Sequence, residues 1–206
     1  GVTGNSGGGT QTGYLMLVDD RIDAAAPCCF ITSKEDYMET GQAQDGEQII
    51  YRAIDRGPRY DDFLTAFAPK PVLVGAARSD FLCFEGVERT VKRARRVYDL
   101  YDRDDALQLA VADETHGFSP QLRESTVNWF RARLAGTTPD FETADPSPEN
   151  PADLHCTSDG EVLAAYPEET TVTELNREYI EQTTSNAGSL PEISDREAYT
   201  KTIRET

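Results

Sequence analysis

Three short apolar runs punctuate the first two-thirds of the chain, each set between stretches of mixed polarity. They are Ala24-Ala25-Ala26-Pro27-Cys28-Cys29-Phe30-Ile31, Val72-Leu73-Val74-Gly75-Ala76 and Leu107-Gln108-Leu109-Ala110-Val111-Ala112. Continuous rather than alternating apolar character over so few residues is the pattern of strands buried on both faces. Between them the apolar positions recur at helical spacing. Residues 85–101 put Val87, Val91, Ala94, Val97, Tyr98 and Tyr101 on one face, and residues 121–134 carry Val127, Trp129, Phe130 and Leu134. Residues 34–66 alternate charged and apolar positions in shorter helical pieces. A further strand is expected at Gly1 to Thr3, followed through a glycine-rich turn by an apolar helix ending at Asp19-Asp20. Helices and strands in this alternation predict an α/β fold with a parallel sheet.

The pattern changes after Leu134. Pro139, Pro146, Pro148 and Pro151, interspersed with acids, mark residues 137–153 as a linker. Beyond it, residues 154–157 and 161–164 read as short strands. Thr171-x-x-Glu174 and Ser194-x-x-Glu197 have the spacing of capping boxes that start helices. The expected organisation is a domain over 1–136, the linker, and an acidic extension or the opening of a second unit over 154–206. Gly1 falls within a strand, so the sequence reads as a fragment or a processed product.

Charge sharpens the division. The 206 residues hold 37 acidic and 20 basic side chains, a net charge of -17. Residues 1–136 hold 21 acidic and 16 basic, a net of -5, and residues 137–206 hold 16 and 4, a net of -12. Such a chain repels phosphate backbones, so neither nucleic acid nor an anionic membrane is an expected partner. A mean hydropathy of -0.56 and the lack of a long apolar run argue against a membrane span. Only four basic residues are lysines (Lys34, Lys70, Lys92, Lys201). Acid-rich, lysine-poor composition suits concentrated salt, although a GC-rich genome and an acidic tail account for it as well. The two histidines and four cysteines show no zinc-ligand spacing, and no metal or cofactor is expected.

The chemistry concentrates at the start of the chain and at the ends of the later strands. Gly4-Asn5-Ser6-Gly7-Gly8 fits G-x-S-x-G, the strand-to-helix elbow that lifts a nucleophilic serine clear of a sheet. The pattern needs small neighbours because the turn is tight and the helix lies close to the strand. The Gly7 N–H then points to where an acyl oxyanion would develop. A flexible glycine turn or an anion-binding loop gives the same letters. In an elbow enzyme the acid and the histidine follow in that order, each just past a later strand. Asp80 follows the second run and His116 the third. His116 would take the Ser6 proton and return it to the leaving alcohol, and Asp80 would fix the imidazole tautomer. Asp113 and Glu114 lie too close to His116 in sequence to reach its Nδ1 easily, and Glu85 is a weaker rival.

The stretches Thr3-Gly4-Asn5-Ser6-Gly7-Gly8-Gly9-Thr10-Gln11-Thr12, Asp20-Arg21-Ile22-Asp23-Ala24-Ala25-Ala26-Pro27, Ala68-Pro69-Lys70-Pro71-Val72-Leu73-Val74 with Asp80-Phe81, and His116-Gly117-Phe118-Ser119 together resemble the acetyl xylan esterase-like branch of the α/β-hydrolase superfamily. The resemblance covers residues 1–135 and implies the second half of such a domain. It implies a serine esterase removing short acyl groups, often acetyl, from carbohydrates. By position it assigns Ser6 as nucleophile, Asp80 as acid, His116 as base and Gly7 as an oxyanion donor. The early strands and the second oxyanion donor of that family have no counterpart here. A missing donor costs about 3–4 kcal/mol of transition-state stabilisation, so little turnover is expected from these residues alone.

Several features stay open at this level. Residues 44–48 line an acyl or sugar pocket or merely start a solvated helix. Cys28 and Cys29 read as buried thiols beside the site. Lys92-Arg93-Ala94-Arg95-Arg96 reads as a solvated helix face, and Trp129 and Phe130 as core packing rather than sugar platforms. A prolyl-oligopeptidase-like peptidase shares the elbow and the triad order, and a non-catalytic interaction module is the reading from a different class.

Overall fold

A computed structural model describes residues 1–50, 53–56, 58–144 and 147–184. Four parallel strands lie in sequence order across one sheet: β1 (Val2–Asn5), β2 (Ala25–Cys28), β3 (Val72–Ser79) and β4 (Leu107–Thr115). Parallel neighbours need a crossover between them. Helix α1 (Gly7–Val18) supplies the first; α2 (Lys34–Glu39), α3 (Ala53–Arg56) and α4 (Tyr60–Phe67) lie in the second, and α5 (Phe84–Leu100) in the third. Helix α6 (Pro120–Phe130) follows β4.

Both faces of the sheet are covered, which is why its strands carry no polar stripe. On one face Val72, Val74 and Ala76 of β3 join Met16 of α1, Phe63, Leu64 and Phe67 of α4, and Val87, Val91, Ala94 and Tyr98 of α5. On the other, Ala24, Ala26 and Leu73 pack against Trp129, and Ala77 and Ala112 against Leu122, both from α6. Alternate residues of one strand thus feed opposite cores. The first core is aromatic around Phe30, whose ring meets those of Tyr60 and Phe63 edge-on. Helix α1 reaches β2 only because Gly9 and Gly13 lack side chains: a Cβ would stand 2.5 Å from the Cys28 carbonyl oxygen at Gly9 and 2.7 Å from the Phe30 ring at Gly13.

The elements differ from the sequence expectation mainly at their ends. Strands β3 and β4 run on to Ser79 and Thr115 through exposed polar residues that the apolar runs do not include. Backbone pairing between the two, with a register shift between Ala77 and Ser79, carries the ladder beyond the apolar part. Tyr101, expected on the buried face of α5, lies past its end and is 54% exposed. The last helix passes into a wider π turn over Arg131–Ala135 and stops at Gly136, whose φ of 61° suits glycine. Trp129 and Phe130 pack edge-to-face in the core, as expected. Lys92, Arg95 and Arg96 are exposed on α5.

The chain divides into two compact units, Gly1–Asp145 and Pro146–Thr206. Part of the expected linker belongs to the first unit. Asn128 of α6 bonds Phe141 in both directions, its Nδ2 donating to the carbonyl and its Oδ1 accepting from the N–H, and Glu124 accepts from the Thr143 N–H. The second unit holds a short turn at Pro151–Leu154, α7 (Val162–Ala165) and α8 (Val172–Thr184), and none of its described residues is buried. Residues 151–154 and 162–165 are helical turns rather than the strands read at 154–157 and 161–164. The Asn150 side chain caps the first turn by accepting from the Ala152 N–H, and no neighbouring strand in this unit offers a ladder, among the described residues. The Thr171–Glu174 capping box forms: Glu174 accepts from the Thr171 N–H at 2.7 Å and Thr171 Oγ1 from the Glu174 N–H at 3.2 Å. The Ser194–Glu197 box lies outside the described residues. No described helix is long and apolar enough to cross a membrane.

Candidate active site

Three parallel strands of one sheet deliver the sequence-predicted residues to a common edge. Ser6 follows β1, Asp80 follows β3 and His116 follows β4, each directly after the last strand residue. Ser6 sits on the sharp turn between β1 and α1. Ser6 holds φ 57° and ψ -120°, a conformation that a non-glycine residue keeps only when its surroundings fix it. The fixing bonds are its N–H to the Cys28 carbonyl at 3.0 Å and its carbonyl to the Thr10 N–H at 2.9 Å. Any Cβ at Gly4 would overlap the Gly8 carbonyl, which explains the first glycine of the motif. The hydroxyls of Thr10 and Thr12, both buried, bond back to the carbonyls of Ser6 and Gly8. Gly7 opens α1, which places its N–H among the free donors of a helix start.

Asp80 and His116 are brought into direct contact. The ladder pairs Ser79 with Thr115, so the next residue of each strand stands beside the other. His116 Nδ1 lies 2.9 Å from both carboxylate oxygens of Asp80. A carboxylate only accepts, so Nδ1 carries the proton and Nε2 is left as the basic nitrogen. The Asp80 side chain is 3% exposed and that of His116 23%. Asp80 also accepts from the Leu82 N–H at 2.9 Å, and the Phe81 ring lies 4.4 Å from the imidazole, centre to centre. The acid is therefore sheltered and held from its own loop, and the imidazole is braced while one side stays open.

The rival acids lie elsewhere. Asp113 and Glu114 are exposed, with Asp113 3.6 Å from Arg78, and Glu85 is exposed on the first turn of α5. Gln44 donates to the Tyr60 hydroxyl and lines a cavity of about 160 Å³ with Lys34, Tyr37, Met38 and Gln42. Gln48 is instead buried, in the last position of a single turn over Gly46–Gln48, so residues 44–48 do not act as one solvated helix start.

Sequence reasoning placed the two thiols beside the site without separating them. Cys28 points into the sheet toward Thr126, and all four cysteines are free. Cys29 is different. Its Sγ, an Asp80 oxygen and a His116 nitrogen all lie within 4.8 Å of one another. Positions 29, 80 and 116 carry no spacing signature, so only the fold shows this cluster. Burial, with the nearby Asp80 charge adding to it, pushes the Cys29 thiol up to about 12.

No family model matches the sequence, and no curated protein matches it. Solved structures do match. A carbohydrate esterase family 15 glucuronoyl esterase from Caldicellulosiruptor kristjansonii is 18% identical, with a TM-score of 0.56 over 73% of this chain and 47% of its own. The glucuronoyl esterase catalytic domain from Hypocrea jecorina is 17% identical, with a TM-score of 0.56 over 71% and 48%. The methylesterase BT1017 is 22% identical, with a TM-score of 0.54 over 98% and 41%. This chain thus spans less than half the length of each. Likeness to these esterases, together with four parallel strands in sequence order and helices on both faces, makes the fold a partial α/β-hydrolase fold.

Proposed function

We propose that the chain carries the catalytic residues of a serine esterase acting on carbohydrate esters. In this reading Ser6 attacks the ester carbonyl, His116 Nε2 takes its proton and returns it to the departing alcohol, and Asp80 steadies the imidazolium. Gly7 supplies an oxyanion N–H. Water then repeats the sequence on the acyl-enzyme. The observation that carries the proposal is the sheltered Asp80 carboxylate on His116 Nδ1, because it commits the imidazole to the tautomer a general base needs. The strained Ser6 at the same sheet edge supports it.

Two ester chemistries fit. The sequence resemblance favours acetyl groups on sugar hydroxyls. The glucuronoyl esterases of similar fold favour esters in which a sugar acid supplies the carbonyl, and the methylesterase favours a methyl ester. The test compares initial rates on acetylated xylo-oligosaccharide and on methyl glucuronate, with Ser6→Ala as the blank. A rate above the blank on one class assigns the ester chemistry; rates equal to the blank on both, in a folded chain that also fails to react with fluorophosphonates, overturn the proposal.

A further inference from the structure

Cys29 occupies a position that neither the elbow nor the acid–histidine pair explains. It follows β2 directly, and its φ of 47° is one of three positive values among the described non-glycine residues; Ser6 and Asp102 hold the others. Two of the three thus fall at one sheet edge, where strain is retained only if surrounding contacts over-determine it. The contacts at Cys29 reach three segments of the site. The preceding carbonyl, that of Cys28, accepts the Ser6 N–H at 3.0 Å; the Cys29 N–H donates to Gly75 of β3 at 2.9 Å; and the thiol donates to the carbonyl of Gly117, next to His116, at 3.6 Å.

We propose that Cys29 is a positioning residue, whose neutral thiol fills the space behind the Asp80–His116 pair and ties the histidine loop to the elbow. Its catalytic meaning rests on the esterase reading; its structural meaning does not. Side-chain chemistry at this position is constrained from two directions. A carboxylate here would set a second anion beside Asp80 and compete with it for the imidazole Nδ1–H. A missing side chain would leave the Gly117 carbonyl without its donor and free the histidine loop to move. A small, weakly polar, uncharged group satisfies both demands, and burial keeps the thiol in that form, only 3% of the residue being exposed.

The test is NMR of the histidine ring protons in the 206-residue chain and in Cys29→Ser, Cys29→Ala, Cys29→Gly and Cys29→Asp. His155, in the second unit, is the internal reference. Cys29→Ser keeps a hydroxyl donor and should keep the parent spectrum. Cys29→Ala and Cys29→Gly should lose or broaden the low-field Nδ1 proton of His116, as the Asp80 contact loosens. Cys29→Asp, which sets a second carboxylate beside the pair, should shift that proton rather than abolish it. Glycine tolerates the positive φ, so the glycine variant separates loss of the thiol from backbone strain. Fluorophosphonate labelling of Ser6 should slow by about tenfold in the alanine and glycine variants and recover in the serine variant. An unchanged His116 in both truncations overturns the proposal, while labelling of Ser6 would still support the esterase. A His116 that follows residue 29 in a chain whose serine never labels leaves the positioning role standing and removes the esterase reading.

Discussion

Ser119 and Thr171 start their helices in the same way. Ser119 Oγ accepts from the Leu122 N–H at 3.3 Å and Thr171 Oγ1 from the Glu174 N–H at 3.2 Å. The helices then part company. In α6, Leu122 is fully buried and Trp129 is 7% exposed against a sheet face. In α8, Val172, Leu175, Tyr179 and Ile180 are all more than half exposed. Capping decides where a helix begins and is worth about 1 kcal/mol; burial of an apolar stripe decides whether the helix contributes to a core. Charge density differs as well: the net is -8 over residues 1–145 and -9 over the much shorter stretch 146–206. Among the described residues, only the first unit has buried side chains.

The largest expected effect is in the first unit. Phe30→Ala removes a 2%-exposed ring that meets Tyr60 and Phe63 edge-on, and should cost about 3–5 kcal/mol in urea denaturation followed by tryptophan fluorescence. Gly4→Ala drives a methyl group into the Gly8 carbonyl and should cost about 1–3 kcal/mol, with loss of Ser6 reactivity greater than the stability loss explains. Alkaline pH should weaken the same unit. Burial raises the pKa of Cys28, Cys29, Tyr60 and Tyr98, with Cys29 and Tyr60 pushed up to about 12. From pH 9 upward the unfolded chain therefore releases protons that the folded chain retains, so the melting temperature should fall steadily toward pH 12. A flat profile over that range would contradict the burial assigned to these groups.

Effects in the second unit should be smaller. Thr171→Ala removes one half of the capping box and should destabilise α8 by about 1 kcal/mol, visible in backbone chemical shifts of residues 172–184. Tyr179→Ala should change stability by no more than about 0.5 kcal/mol, because the side chain is 68% exposed. A loss as large as that of Phe30→Ala would erase the distinction between the units.

Much of the first unit was legible because its physics is local. Continuous apolar runs mark doubly buried strands, and Gly4-Asn5-Ser6-Gly7-Gly8 announces its own strained turn. Asp80 and His116 were readable as residues just past strands and were expected to pair, but the geometry that joins them was not. It depends on the Ser79–Thr115 pairing and the register shift before it, formed by polar backbone that no apolar run signals. Cys29 was read only as a buried thiol, since its positive φ and its approach to His116 arise from three strands meeting. In the second unit the four-residue apolar runs misled, because a short apolar run suits a strand only where another strand lies beside it. The first unit reaches further than the composition shift at Gly136, since Asn128 and Glu124 bind residues 141 and 143 through backbone groups.

Mass-spectrometric mapping of a fluorophosphonate adduct tests the central claim most directly. One adduct is expected on the peptide containing Ser6, lost in Ser6→Ala, strongly slowed in His116→Ala, and unchanged in Ser158→Ala, a serine of the second unit. An adduct carried by Ser158 or another serine, or one on Ser6 that forms at the same rate without His116, would contradict it.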